Sequence, residues 1–434
     1  MKAVSKWSAL PTVAPELIFE LDRMAKAATE PKANLTVGAY RDEGGMPYPL
    51  SVVRKAEERI AREKKYDKEY LPISGYQNFI DAAARLLYGF KGDELNDAPN
   101  KLTKERVFGV QTLSGTGAVR TGADFFARSV PRDTTEVLLS NPTWGNHHSI
   151  FEDAGFKKIK TYRYWNPAKK GLDIDGMLED VRNAQDGSIV VLHQCAHNPT
   201  GVDPSKEQWK EIANTLKAKR HQVFFDSAYQ GYATGNLDDD AYAARLFASM
   251  GFEFVVAQSF SKNLGLYCER VGTLTFVFNV DHTGNGKTEE DIKQQSEQTK
   301  ALLRGVVERC IRGNYSSPPA HGARVAHLVL TDPELRKEWE AELKHMADRI
   351  KHVRQLVYDE LVALKTPGDW SHIVNQIGMF SFLGLNKEQC MKLQQDHVFV
   401  MPTGRASMAG LTVETTKLLA KSIDEAVRTI PSSK

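Results

Sequence analysis

The chain has 434 residues, 41% hydrophobic and 26% charged, enough for a large buried core and two or three domains. Its 57 basic and 55 acidic residues leave a net charge of +2, which gives no argument for nucleic acid or a membrane surface. Four scattered cysteines, Cys195, Cys268, Cys310 and Cys390, form no CxxC pair and fit a reduced intracellular protein. No apolar run approaches the ~20 residues that span a bilayer. Met1 to Pro15 lacks a signal-peptide core and the chain ends Ser432-Ser433-Lys434, so the cytoplasm is the expected compartment.

In chain order, residues 1–14 read as an extended arm whose Trp7 and Leu10 can dock elsewhere. Pro15 opens a helix over Glu16 to Lys26, with Leu17, Ile18, Leu21 and Met24 on one face. Asn34 to Tyr40 reads as a short strand, Asp42 to Pro47 as a turn, and roughly 50–65 as a helix. Pro72 makes Tyr70 to Gly75 a loop before a helix from Asn78 to Tyr88. A repeated pattern of strand, loop and helix follows. The strands are Val107 to Gln111, Val137 to Ser140, Ser188 to His193, Gln222 to Asp226 and Phe252 to Ala257, with Val271 to Val280 after them. This alternation predicts a mostly parallel sheet covered on both faces, with a ligand beyond the carboxyl ends of the strands. Residues 281–300 read as a polar excursion plus the start of a long helix, and Asp332 opens another long helix through about Leu364. A small second unit follows, with strands near Met379 to Phe382 and Val398 to Val400, and helices at Asn386 to Gln395 and Thr412 to Thr429.

The residues that carry chemistry all fall just after strands. Lys262 follows the Phe252 to Ala257 strand within Ser259-Phe-Ser-Lys262-Asn-Leu-Gly-Leu-Tyr-Cys-Glu-Arg270. A lysine amine of lowered pKa forms a Schiff base with an aldehyde. Ser259 and Arg270 offer donors to a phosphate. Aldehyde and phosphate on one small molecule point to pyridoxal 5′-phosphate. Taken alone, Ser-x-x-Lys describes many surface lysines, so the neighbouring loops decide. Asp226 closes an apolar strand, where a carboxylate needs a cation or strong donor; a protonated pyridine nitrogen is one such partner, and a helix N-cap or turn role is the alternative. Tyr229 could bond a phenolic oxygen, though a lone tyrosine is more often packing, and Trp144 could stack on a flat ring or fill core. Ser114-Gly115-Thr116-Gly117 precedes a helix whose free N–H groups suit phosphate.

Competing motifs fail. Gly115-Thr-Gly117-Ala-Val-Arg120 lacks the third glycine of a dinucleotide fingerprint, and Gly286-Lys287-Thr288 lacks the leading glycine of a P-loop. His193, Cys195 and His197 do not have zinc spacing, so no metal is expected. Arg405 and Arg312 are candidate carboxylate clamps, though a lone arginine is more often a surface ion pair.

The segments Val37 to Arg41, Glu69 to Ile73, Gly115 to Ala118, Asn141 to Trp144, Ala196 to Gly201, Phe225 to Gly231, Gln258 to Asn263 and Gln376 to Phe380 resemble aspartate aminotransferases of the class I, fold-type-I pyridoxal-phosphate family along essentially the whole chain. The resemblance implies an α/β fold. A large domain (51–345) would carry a mostly parallel seven-stranded sheet, and a smaller α+β domain would form from 15–50 and 346–434. The 1–14 arm would dock on a partner in a homodimer. It implies that Lys262 holds pyridoxal 5′-phosphate and shuttles the proton. Asp226 would pair with the pyridinium with His147 behind it, Tyr229 and Asn198 would contact the phenolic oxygen, and Trp144 would stack on the ring. Ser114, Gly115, Thr116, Ser259 and Arg270 would hold the phosphate, with Tyr70 reaching the neighbouring subunit's site. Arg405, with Gly38, Trp144 and Asn198 nearby, would grip the substrate α-carboxylate, and Arg312 would cross the interface to a side-chain carboxylate. The implied reaction is ping-pong transamination between aspartate and 2-oxoglutarate. An aromatic or broad-range aminotransferase, another pyridoxal-phosphate reaction and a non-catalytic scaffold are the competing readings. Two departures stand out: Cys268 replaces a frequent Asn, and the polar excursion near 281–290 is long.

Overall fold

The computed structural model describes residues 5–12, 16–90, 104–280 and 288–431. Parts of the expected arm (1–4 and 13–14), the Pro15 helix start and most of the 281–290 excursion lie outside the described residues. The centre is a seven-stranded sheet. Its strands are β1 (Val107–Leu113), β2 (Glu136–Asn141), β3 (Lys158–Arg163), β4 (Ile189–His193), β5 (Gln222–Ser227), β6 (Phe254–Ser259) and β7 (Val271–Val277). Their order across the sheet is β1-β7-β6-β5-β4-β2-β3, and only β7 runs antiparallel to its neighbours.

The central strands are apolar on both faces because both faces are covered. Phe225, Val223, Leu192, Val190 and Val256 enter one core, and Phe224, Val191, Ile189, Val255 and Ala257 enter the other. Alternate residues thus supply opposite cores, as a pleated strand requires. β3 is the strand that the sequence reading leaves out. Its Lys-Ile-Lys-Thr-Tyr-Arg pattern is mostly exposed because it lies at the sheet edge, where only one neighbour pairs with it.

Four helices matter for the site: α1 (Ser114–Ser129), α2 (Asn146–Asp153), α3 (Glu289–Asn314) and α4 (Pro333–Ala363). α1 starts at Ser114 itself rather than after the glycines. Thr288 and Asp291 form a capping box at the start of α3. Asp332 caps α4, whose first residue is Pro333, a position where the missing N–H costs nothing.

The two ends of the chain meet. Ala33 and Asn34 pair in parallel with Val398 and Phe399, and β8 (Phe380–Phe382) pairs antiparallel with β9 (Arg405–Ser407). The strand expected over 34–40 keeps regular pairing only through Asn34. The Asn34 side chain accepts from Thr36 N and Oγ1 at 3.3 and 2.7 Å, which turns the backbone. A third core, containing Leu35, Trp339, Ile350, Phe380 and Leu419, joins these segments to α4.

Candidate active site

The carboxyl ends of β1, β4, β5 and β6 converge on one cleft. β5 closes with Asp226 and Ser227 and β6 with Ser259, so the registered pairs Asp226–Ala257 and Ser227–Gln258 place the two loops side by side. β4 pairs His193 with Asp226, which brings in the Cys195 to Gly201 loop. The reversed strand β7 pairs Gly272 with Ser259, and Ser114 N donates to Arg270 O at 3.0 Å. The start of α1 therefore lies beside Ser259.

Lys262 stands at the floor of this cleft, with Nζ 5.7 Å from the centroid of the Tyr229 ring. Its side chain keeps some contact with solvent, and the protein packed around it lowers its pKa to about 8. Asp226 pulls that pKa back up, while Arg270 and Arg405 push it further down. Asp226 is buried, which by itself raises its pKa. The His147 hydrogen bond and the charges around it outweigh burial and hold the carboxyl below its ordinary value. His147 Nε2 lies 3.1 Å from Asp226 Oδ2, and His147 Nδ1 lies 2.8 Å from Thr143 Oγ1. Thr143 Oγ1 also lies 3.3 Å from His193 Nε2. The result is a buried relay from the strand-end carboxylate through a fully enclosed imidazole. Burial raises the Tyr229 phenol, and the Asp226 charge raises it further, so Tyr229 stays a donor.

Around Ser114 the chain builds a hydroxyl cluster. Ser114 Oγ is 2.7 Å from Ser261 Oγ and 3.2 Å from Ser259 Oγ. Arg270 reaches Ser261 Oγ at 3.5 Å. Ser114 and Arg270 both adopt left-handed backbone, φ +63° and +54°, which non-glycine residues avoid unless the surroundings impose it. A Cβ on Gly115 would come within 2.9 Å of Ser259 Cβ, so glycine is what allows this approach. Hydroxyls, a guanidinium and the N–H groups at the start of the 16-residue α1 together fit a phosphate.

Asn198 and Arg405 complete the cleft. Asn198 Oδ1 and Arg405 Nε are buried without a hydrogen-bond partner. Arg405 donates through Nη2 to Thr36 O at 2.7 Å and lies 4.6 Å from the Phe380 ring centroid. Trp144 is half-buried and meets His147 edge-on at 5.2 Å. Gly38 lies against Phe380, since a Cβ there would fall 2.6 Å from Cζ. These orphaned buried atoms, the low-pKa lysine and the phosphate cradle fit pyridoxal 5′-phosphate with a carboxylate-bearing substrate.

Tyr70 and Arg312 are not brought into this cleft by their own chain. Tyr70 is 87% exposed. Arg312 is exposed near the end of α3, and its guanidinium bonds Ser316 Oγ. Tyr70 and Ser317, Pro318 and Pro319 line one surface groove. A roomier cleft of about 1090 Å³ lies at the opposite end of the sheet, where β1 starts at Val107, and holds none of the residues above.

The sequence reading assigned no role to Thr143, Ser261 or Phe380. Ser261 could have been found from its place beside Lys262; Thr143 and Phe380 act through contacts that only folding creates. His193 and His197, weighed as metal ligands, engage hydroxyls instead. His197 Nε2 is 2.9 Å from Ser140 Oγ and its Nδ1 2.8 Å from Thr200 Oγ1. No group of three or more candidate metal ligands occurs among the described residues.

Comparison with known proteins finds relatives along nearly the whole chain. The family model described as aminotransferase class I and II matches residues 30–423. A protein of Gallus gallus named cytoplasmic aspartate aminotransferase is 45% identical, covering 99% of this chain and all of that one. The crystal structure of a broad specificity aminotransferase from Leishmania mexicana is 52% identical, with a TM-score of 0.90 over 98% of this chain and all of that one. An aromatic-amino-acid aminotransferase from Burkholderia pseudomallei, covalently bound to pyridoxal phosphate, is 35% identical, with a TM-score of 0.88 over 98% of this chain and all of that one.

Proposed function

Because the chain belongs to the class I and II aminotransferases, we propose that it moves the amino group of L-aspartate to 2-oxoglutarate, giving oxaloacetate and L-glutamate. The observation that carries this reading is the buried pairing of Asp226 with His147 beneath a lysine whose pKa is lowered to about 8. Pyridoxal 5′-phosphate would be held by Lys262 through its amine, by Ser114, Gly115, Thr116, Ser259 and Arg270 at the phosphate, and by Trp144 at the ring face. When bound, it supplies an electron sink for the substrate Cα, which no side chain can offer.

The chain's own residues do the rest. Asp226, ionised and oriented by His147, would keep a proton on the cofactor's pyridine nitrogen, and Tyr229 and Asn198 would bond its phenolic oxygen. Lys262 Nζ, partly neutral near pH 8, removes the Cα proton of the amino acid, and in the reverse half-reaction it returns a proton there. Arg405 holds the substrate α-carboxylate, with Gly38, Trp144 and Asn198 beside it. Its planar fork suits a carboxylate, and its partnerless Nε is free for one. Arg312 and Tyr70 would act in the site of a second subunit. Their exposure supports a homodimer, with the 1–14 arm docking on the partner. The same reading divides the chain at about residues 50 and 345 into a larger unit and a smaller one built from both ends. The pairing of Ala33 with Val398 supports that division. The cytoplasm is the proposed location, as in the Gallus gallus relative's name; no helix among the described residues is long and apolar enough to cross a membrane.

Arg312→Ala is expected to raise the KM for both aspartate and 2-oxoglutarate steeply while sparing the half-reaction with tyrosine followed in a single turnover. Undiminished aspartate turnover would sink the clamp. The Leishmania mexicana neighbour favours a second reading, broad donor range. The same assay separates the two: comparable kcat/KM for aspartate and tyrosine in the unaltered protein would make the broad reading correct. Borohydride should bleach a visible band and leave the reduced cofactor covalently attached to the unfolded chain, which tests the Lys262 linkage.

A further inference from the structure

Arg354 is the one arginine on α4 enclosed almost completely, at 2% exposure, and no carboxylate pairs with it among the described residues. A buried guanidinium without a counter-charge is costly, so its retention needs a reason beyond packing. Its hydrogen bonds all go to backbone carbonyls of a single segment. Nη1 donates to Ile373 O at 2.9 Å, and Nη2 donates to Gly378 O at 2.9 Å and to Phe380 O.

That segment touches the cleft from two directions. Ile377 N donates to Gly201 O at 2.7 Å, and a Cβ on Gly378 would fall 2.4 Å from Ala196 Cβ. It is thereby keyed to the loop that carries Asn198. At its end, the Phe380 ring lies against Gly38 on one side and beneath the Arg405 guanidinium, 4.6 Å from its centroid. Phe380 also meets Tyr229 edge-on at 6.1 Å. Gly38, Asn198 and Arg405 are the proposed neighbours of the substrate α-carboxylate, and one fork of donors fixes the backbone they all lean on.

We propose that Arg354 is a positioning residue for the substrate-carboxylate site, acting through the Phe380 carbonyl and ring to hold Arg405 and through Gly378 to hold the Asn198 loop. The inference rests on the assignment of Arg405 as the carboxylate clamp. A purely structural staple would lower stability and leave substrate affinity alone. A positioning residue moves affinity for carboxylates in the folded enzyme.

The test uses the cofactor-loaded full chain and succinate, a dicarboxylate that cannot react, titrated by calorimetry. Arg354→Gln is expected to weaken succinate binding about tenfold and to raise the KM for both aspartate and 2-oxoglutarate similarly, with kcat within about threefold. The visible band of the cofactor stays unchanged. Arg354→Lys, which keeps one charged donor, falls between the two. Arg405→Lys is the reference. If it weakens succinate while folded Arg354→Gln and Arg354→Lys bind as the unaltered enzyme does, the inference is overturned and the clamp stands. If Arg405→Lys binds succinate normally, the clamp itself is wrong and the inference goes with it. If Arg354→Gln does not fold, Phe380→Leu keeps the backbone bonds and removes the ring beneath Arg405. Weakened succinate binding then supports the link, and unaltered binding overturns it.

Discussion

At the residue scale, one amine carries the reading. Burial lowers the pKa of Lys262 to about 8, and Asp226 is the neighbour that raises it. Removing that charge must therefore lower the pKa further. We expect Asp226→Asn, in cofactor-free protein, to shift the pH midpoint of Lys262 acylation downward; an upward shift would show that the two groups do not interact. Sign matters for stability too. A lysine whose folded pKa lies below its ordinary value of 10.5 stays uncharged in the fold where the unfolded chain is protonated. Its penalty is therefore complete below about pH 8 and is relieved as pH rises toward 10.5. Lys262→Met should abolish that rise in the cofactor-free protein, seen as a flatter urea-midpoint profile above pH 8. The same substitution should lower transamination by at least about a thousandfold, since the base is gone.

At the element scale, the site depends on backbone that side chains ordinarily avoid. Gly201, at the end of the Asn198 loop, has φ +66°, and a Cβ there would fall 2.7 Å from Phe380 O and 3.0 Å from Ile377 O. Gly201→Ala is expected to cost about 2 kcal/mol, from the left-handed backbone and the clash together. Urea unfolding would measure it, and substrate KM should rise with it because the loop and Phe380 must separate. A neutral Gly201→Ala would mean that the two segments are not keyed. Edge position explains why β3 escaped the sequence reading. A buried strand announces itself by an unbroken apolar run, whereas Lys158 to Arg163 exposes most of its side chains and looks like loop.

At the scale of the whole molecule, Tyr70 and Arg312 decide whether the chain works alone. Both face solvent in one chain, yet their proposed partners are substrate and cofactor. Lys262→Ala and Arg312→Ala should each be nearly inactive toward aspartate. Unfolded together and refolded, they should recover about a quarter of normal activity, because half the symmetric dimers are mixed and each mixed dimer has one intact site. No recovery would mean that Arg312 serves its own subunit.

Strand-end placement of Asp226, Asn198, Ser114 and Lys262 could be read along the chain, because buried parallel strands are continuous apolar runs and their loops follow directly. The start of a helix near Ser114, with Gly115 and Gly117 beside it, could likewise be read from local sequence. Only tertiary structure put Thr143 between His147 and His193, laid Phe380 beneath Arg405, and set Arg354 against three carbonyls far along the chain. Apart from Thr143 with His147, those contacts join residues 19 to 50 positions apart. Local periodicity reports which face of an element is buried, and carries no information about what that face will meet.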